Sequence, residues 1–175
     1  MEIPISKDRE CGECSVCCTS LRIEIPELKK LADTSCQNLS NERGCSIYNE
    51  RPNLCRHWLC GWMVLDIPDN LRPDISGVLI RLDNDSACFQ PVVGCNPIRL
   101  ILPDIARIIS FFVSNDFEVS ISIPTKKGFC YANFVVNEHL KELVETGEYE
   151  PIADKIKDMI LFAAKSKTDP ITPLS

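Results

Sequence analysis

Histidine is nearly missing from this chain: two residues in 175. That excludes a His-rich catalytic metal site. Basic runs are missing too. No five consecutive residues are Lys or Arg, the net charge is -6 and the pI is about 5.0, which argues against a nucleic-acid binder. The most apolar run, "IISFFV" at Ile108–Val113, is far too short to cross a bilayer. The opening "MEIPISKDRE" has no basic segment followed by an apolar one, so no secretory leader is expected. The expectation is a cytoplasmic protein with reduced thiols. A Gly-rich phosphate loop, a G-x-S-x-G elbow and an H-E-x-x-H helix are also lacking. The motifs therefore lean away from an enzyme, with neither nucleic acid nor membrane as a partner, and leave only an unknown protein partner open.

What the chain has is cysteine: 11 residues, an odd number. In a reducing compartment such a set reads as metal-binding or redox-active before it reads as a disulfide framework. The thiols are also unevenly placed. Cys11, Cys14, Cys17, Cys18, Cys36, Cys45, Cys55 and Cys60 all fall in the first 60 residues, while Cys88, Cys95 and Cys130 lie beyond. The last three sit near apolar runs and read as buried small hydrophobes, with Cys95, in a turn after Gly94, nearest to any cluster. This shift in composition divides the chain into a cysteine-rich metal-binding region (1–65), an α+β region packed against it (66–165) and a flexible tail (166–175). The first region has few aliphatics, so a metal centre is expected to hold it together.

Local patterns give the fold class. "PELKKLAD", Pro26–Asp33, reads as a short helix with Pro at its first position, and "SNERG" and "ERPN" read as turns. Further on, "SGVLIRL" and "ACFQPVV" form strands about an Asp83–Asp85 turn, with Pro91 placing the second at an edge or bulge. "PDIARIISFFVSND" reads as a buried helix. "FEVSISIP" alternates as a half-buried strand and "FCYANFVV" returns beside it. "NEHLKELVETG" reads as a helix capped by Asn137 and ended by Gly147, followed by the helical spacing of Ile152, Ile156, Met159, Ile160 and Ala163. The class is α+β: an irregular cysteine-rich region packed on antiparallel hairpins with several helices.

The chemistry lies in "CGECSVCC". Cys11, Cys14 and Cys17 follow a C-x2-C-x2-C spacing, which lets one loop turn its thiolates inward and recurs in iron–sulfur and zinc sites. Gly12 relieves the steric limits of such a turn. Adjacent side chains diverge, so Cys17 and Cys18 do not sit comfortably on one small ion. They serve different atoms of a cluster, or two separate sites, or one of them is not a ligand.

"CGECSVCC", then "CQNL" at Cys36–Leu39, then "CSIYNERPNLCR" at Cys45–Arg56, together resemble the CxxCxxCC cysteine-cluster family of zinc- or iron-chelating domains. The pattern covers about the first third of the chain. His57 and Trp58 depart slightly from it. The resemblance implies metal without fixing which one. Larger relatives of the pattern include flagellin lysine methylases, but this chain is much shorter and their activity does not transfer with the motif.

More than four thiols favour an iron–sulfur cluster, most simply 4Fe–4S, with Zn²⁺ as the alternative. The expected role is electron transfer, redox or iron sensing, or metal delivery. The rivals are a zinc-binding structural module and a cluster-dependent enzyme related to protein-lysine methylases. Around the thiolates, Arg51 and Arg56 would offset negative charge and donate hydrogen bonds to sulfur. Tyr48 and His57 are candidate polar neighbours, and Trp58, Leu59 and Trp62 a candidate apolar wall.

Overall fold

A computed structural model describes residues 9–40 and 44–174. The turn expected at "SNERG" falls mostly on 41–43, outside the described residues. The cysteine-rich region opens with the helical turn α1 (Val16–Ser20), followed by strands β1 (Ile23–Ile25) and β2 (Leu28–Lys30), then β3 (Leu39–Ser40) and β4 (Gly44–Cys45). Two short helices follow, α2 (Asn53–His57) and α3 (Gly61–Val64).

The helix expected at Pro26–Asp33 is a β-hairpin instead. Ile23 pairs with Lys30 and Ile25 with Leu28, leaving Pro26–Glu27 as a two-residue turn. Eight residues are too few to nucleate a helix without tertiary support. The alternation of Ile23, Ile25 and Leu28 buries an apolar face with Cys36, and a single helical turn cannot match that. Lys30 is buried at its end. Its ammonium donates to the carbonyls of Thr19 (3.1 Å), Leu31 (3.1 Å) and Leu21.

The second region carries α4 (Pro73–Ser76), β5 (Val78–Asp83), β6 (Ser86–Pro91), α5 (Pro103–Ser114), β7 (Glu118–Ile123), β8 (Ala132–Val135), α6 (Asn137–Thr146) and α7 (Tyr149–Ala164). The four longer strands form one sheet in the order β5-β6-β7-β8. β5–β6 and β7–β8 are antiparallel hairpins, and β6–β7 is parallel, with α5 making the crossover. The fold is α+β. Pro91 does not mark an edge: β6 is central, and its pairing with β7 runs only from Ser86 to Phe89, so Pro91, which has no N–H to donate, lies past it.

One face of the sheet makes the main core. Val78, Ile80, Phe89, Val119, Ile121 and Ile123 pack against Ile105, Ile109, Phe112, Leu140, Ile156 and Met159 of the helices. Phe112 meets Phe89, Phe111 and Phe117 edge-on, a favoured aromatic geometry. Asn137 does not cap α6. Its amide donates to Phe117 O (2.7 Å) and accepts from Val119 N (2.7 Å), pinning the start of β7 to the helix.

The opposite face carries Leu79 and Arg81 of β5 next to Gln90 and Cys88 of β6. Leu79 is as buried as its neighbours Val78 and Ile80, because this end of the sheet is covered on both sides, which explains the unbroken apolar run "VLI". The cover is the cysteine-rich region. Separately, Gly61 lets α3 approach the edge strand β5 on its helix-packed face: a β-carbon there would stand 2.7 Å from the Cβ and Cγ2 of Ile80. Arg9 locks the junction by donating to Trp62 O (2.6 Å), Leu65 O (3.2 Å) and Ile67 O (2.5 Å) while stacking over the Trp62 ring.

Residues 166–174, expected as a flexible tail, are docked. Asp169 O accepts from Cys130 N (2.8 Å), Ile171 N donates to Gly128 O (3.0 Å), and Arg22 donates to the carbonyls of Thr172 and Pro173. Unpaired backbone groups along 128–130 give an otherwise polar segment its partners.

Candidate metal centre

All eight N-terminal cysteines line one cavity of about 380 Å³. They arrive from separate segments. Cys11 and Cys14 stand on a turn closed by Cys14 N donating to Cys11 O at 3.0 Å. Gly12 takes a positive φ of 55° in that turn, where an L side chain would be strained. Cys17 and Cys18 lie on α1, Cys36 in the loop after β2, Cys45 on β4 opposite Leu39, Cys55 on α2 and Cys60 at the start of α3. Leu79 and Arg81 of the sheet close the far wall.

Several sulfurs sit where backbone N–H groups reach them. Asn38 N lies 3.5 Å from Cys36 Sγ. Val16 N–H serves Cys14, and the N–H groups of Trp62 and Met63 serve Cys60. Such donors stabilise a thiolate in preference to a thiol.

Burial acts the other way. It pushes Cys14 up from 9.0 to about 11, and it raises Cys55 and Cys60 as well. Cys18 is the exception. It accepts from the Cys17 thiol and, helped by Lys30 and Arg51, falls to about 7; Cys17, the donor, is raised. At neutral pH Cys14, Cys17, Cys55 and Cys60 therefore keep their protons. A metal would displace those protons, and its affinity would fall as the pH is lowered.

Positive charge surrounds the cavity. Arg51 stacks over the Tyr48 ring, its guanidinium carbon 3.9 Å from the centroid. Burial opposes its charge, but Tyr48 and a hydrogen bond to Cys11 hold it above its ordinary value. Lys30 is lowered by burial and drawn back by Cys36 and Cys18. Arg81 donates to Cys88 Sγ at 3.0 Å, while its Nε is buried without a partner, as is Trp62 Nε1. Sequence reasoning missed Lys30 and Arg81. The available signal was a cation flanked by apolar residues: the two lysines of "LKKL" and the lone Arg of "VLIRL".

Tyr48, Arg51, Trp58 and Trp62 line the cavity, whereas Arg56, His57 and Leu59 do not. Arg56 is exposed and donates to Arg51 O (2.9 Å) and Asn49 O (2.6 Å), so it clamps the preceding turn and does not reach sulfur. His57 is exposed. The α2 helix sends Cys55 inward, and residues one and two positions on point elsewhere. Cys88 and Cys95 are half-buried and Cys130 is exposed, so none is a fully buried hydrophobe. Cys95 packs by Gly77 and stays off the cavity.

Among the described residues no three Cys, His, Asp or Glu side chains already stand together as a finished ion-holding group. The donor chemistry nevertheless suits a thiophilic metal: eight thiols face one space, N–H donors reach three of them, and cations offset the charge. No protein family, curated protein or solved structure matches this chain.

Proposed function

We propose that this chain is a small metal-binding protein that holds an iron–sulfur cluster through its N-terminal cysteines and uses it to transfer electrons, to sense redox state or iron, or to deliver metal. The observation that carries this reading is the meeting of eight cysteines from dispersed segments around one cavity. The CxxCxxCC pattern of the sequence supports it. Bound there, a cluster would supply one-electron chemistry, with a potential tuned by hydrogen bonds to sulfur and by solvent access. The chain's own part is to present thiolates, hold them with N–H donors and Arg51, and keep water off with Trp58 and Trp62.

A second reading, a cluster-dependent enzyme, is favoured by one detail. Trp62 Nε1 and Arg81 Nε are buried donors without partners beside the cavity, and a cavity of about 380 Å³ lies within the range of small-ligand sites. A purely structural zinc module is the third reading.

Anaerobic purification from iron-replete cells separates them. The expected result is a brown protein containing iron and acid-labile sulfide, with an EPR signal after reduction. A colourless protein with full zinc occupancy would overturn the iron reading. Methylation of a protein lysine from a methyl donor, lost in Cys55→Ala, would establish the enzyme.

A further inference from the structure

We propose that the sheet wall of the thiol-lined cavity binds a small organic anion, a carboxylate or phosphate head on an apolar body, received by Trp62 Nε1 and the Arg81 guanidinium. This goes beyond the metal-binding reading and does not depend on it.

The first observation is an imbalance of charge. Among the described residues three arginines line the cavity, Arg22, Arg51 and Arg81, and no Asp or Glu does. Two of the three are engaged. Arg22 pairs with Glu24 at 2.6 Å and donates to the carbonyls of Thr172 and Pro173. Arg51 lies over the Tyr48 ring and bonds to Cys11. Arg81 is half-buried, and its one hydrogen bond among the described residues runs from Nη2 to Cys88 Sγ at 3.0 Å. It belongs to none of the ion pairs among those residues, and its Nε is buried without a partner. A guanidinium keeps its charge at every ordinary pH, and one drawn out of water is seldom left unpaired.

The second observation is Trp62. It is 7% exposed, lines the same cavity, and its indole N–H also has no acceptor. That group can only donate, and a buried donor without an acceptor costs free energy that a ligand oxygen would recover. The fold brings the two donors together. Trp62 is on α3 and Arg81 on β5, and the residues just before them, Gly61 and Ile80, leave no room for even a β-carbon between them.

Neither water nor sulfur answers both needs. A water would accept from the donors but brings no charge. A thiolate would bring charge, but the one sulfur that Arg81 reaches, on Cys88, lies off the cavity. A carboxylate or phosphate supplies charge and several acceptor sites at once, and such charge-assisted bonds are the strong ones. Leu79, Met63 and Pro73 line the same cavity and offer the rest of the molecule an apolar surface. A few convergent polar groups in an apolar pocket of about 380 Å³ make the usual form of a small-ligand site.

The test is calorimetric titration of the full-length, anaerobically purified protein with hexanoate, hexyl phosphate and hexanol, which share one chain and differ in the head. Iron and zinc are measured on the same samples. At least one anion is expected to bind saturably, about ten-fold or more tighter than hexanol, and the tighter of the two identifies the head group. Arg81→Met should erase that preference. Trp62→Phe keeps a ring in place and should weaken the anion several-fold; it decides the matter alone if Arg81→Met does not fold. No saturable binding of either anion, hexanol binding as tightly as both, or an anion preference that survives Arg81→Met would overturn the proposal. So would unchanged anion affinity in Trp62→Phe. Protein without iron or zinc that still binds the anion upholds the site and removes the metal-binding reading. Protein that keeps its metal and ignores both anions does the reverse.

Discussion

The two regions of this molecule are held together by different means. Residues 66–165 bury a continuous apolar core between one sheet face and three helices. Among the described residues the cysteine-rich region has a buried apolar cluster of three, Ile23, Leu28 and Cys36, and its strands are two or three residues long. Such short pairs are marginal in water. Residues 66–165 can be stable through burial alone, whereas the cysteine-rich region, on the proposed reading, depends on what its thiols hold. On that reading a rigid platform and a metal-dependent module stay in contact, with β5 as the wall common to both.

The sharpest way to break this comparison is to remove the proposed metal. Structural metal binding contributes about 10–16 kcal/mol in small thiolate domains. Chelation should abolish amide protection over 11–60 while leaving β5–β8 and α5–α7 protected in hydrogen exchange. Equal protection of both regions after complete metal removal would contradict the division.

The complementary change is Phe112→Ala, in the core of the other region. Phe112 is 1% exposed and touches three other rings, so about 3–5 kcal/mol should be lost. Thermal unfolding should fall steeply, while metal content per folded molecule stays unchanged. A folded variant depleted of metal would show the two regions to be inseparable.

Gly61→Ala tests the contact between them. The new methyl would meet Ile80, itself 1% exposed, at 2.7 Å, and overpacking of this kind costs about 1–3 kcal/mol. The expected result is a lower melting temperature together with weaker metal retention, because α3 carries Cys60. An unchanged melting temperature would show that α3 shifts freely.

Alkali tests a second contact. Burial first, then the hydrogen bond to the Asp33 carboxylate, raises Tyr131 above its ordinary value of 10.0. A raised folded value means that the contribution is complete below about pH 10, where the unfolded phenol is also protonated, and is lost as the pH climbs through the folded value. A denaturation series should lose stability above pH 10, and Tyr131→Phe should flatten that loss. Parallel curves for the two proteins would remove Tyr131 from the account.

The smallest effect is expected for His57→Ala. The side chain is exposed and off the cavity, so stability should stay within about 0.5 kcal/mol and metal content should not move. Loss of metal in this variant would place His57 among the ligands.

Periodicity made most of the second region legible. The alternation in "FEVSISI" and the spacing from Ile152 to Ala163 each point to one element, and β7 and α7 follow them. The first region was less legible, because its segments are too short for a period to accumulate. "PELKK" contains helix formers, yet the burial of Ile23, Leu28 and Lys30 makes it half of a hairpin. Arg56 and His57 show the same limit at the site. Their nearness to Cys55 in sequence suggested nearness to sulfur, and a single helical turn points them away.

By itself the sequence determined the α+β class and the crowding of eight of its thiols into the first 60 residues. Those follow from composition and local period, which need no knowledge of distant contacts. Tertiary structure alone decided that cysteines as far apart as Cys11 and Cys60 share a cavity, that Arg81 and Leu79 of the sheet close it, that Arg51 reaches Cys11 while Arg56 turns outward, and that residues 166–174 are docked. Each of these depends on which chain segments pack together, and packing is set by burial and hydrogen-bond satisfaction across the whole fold.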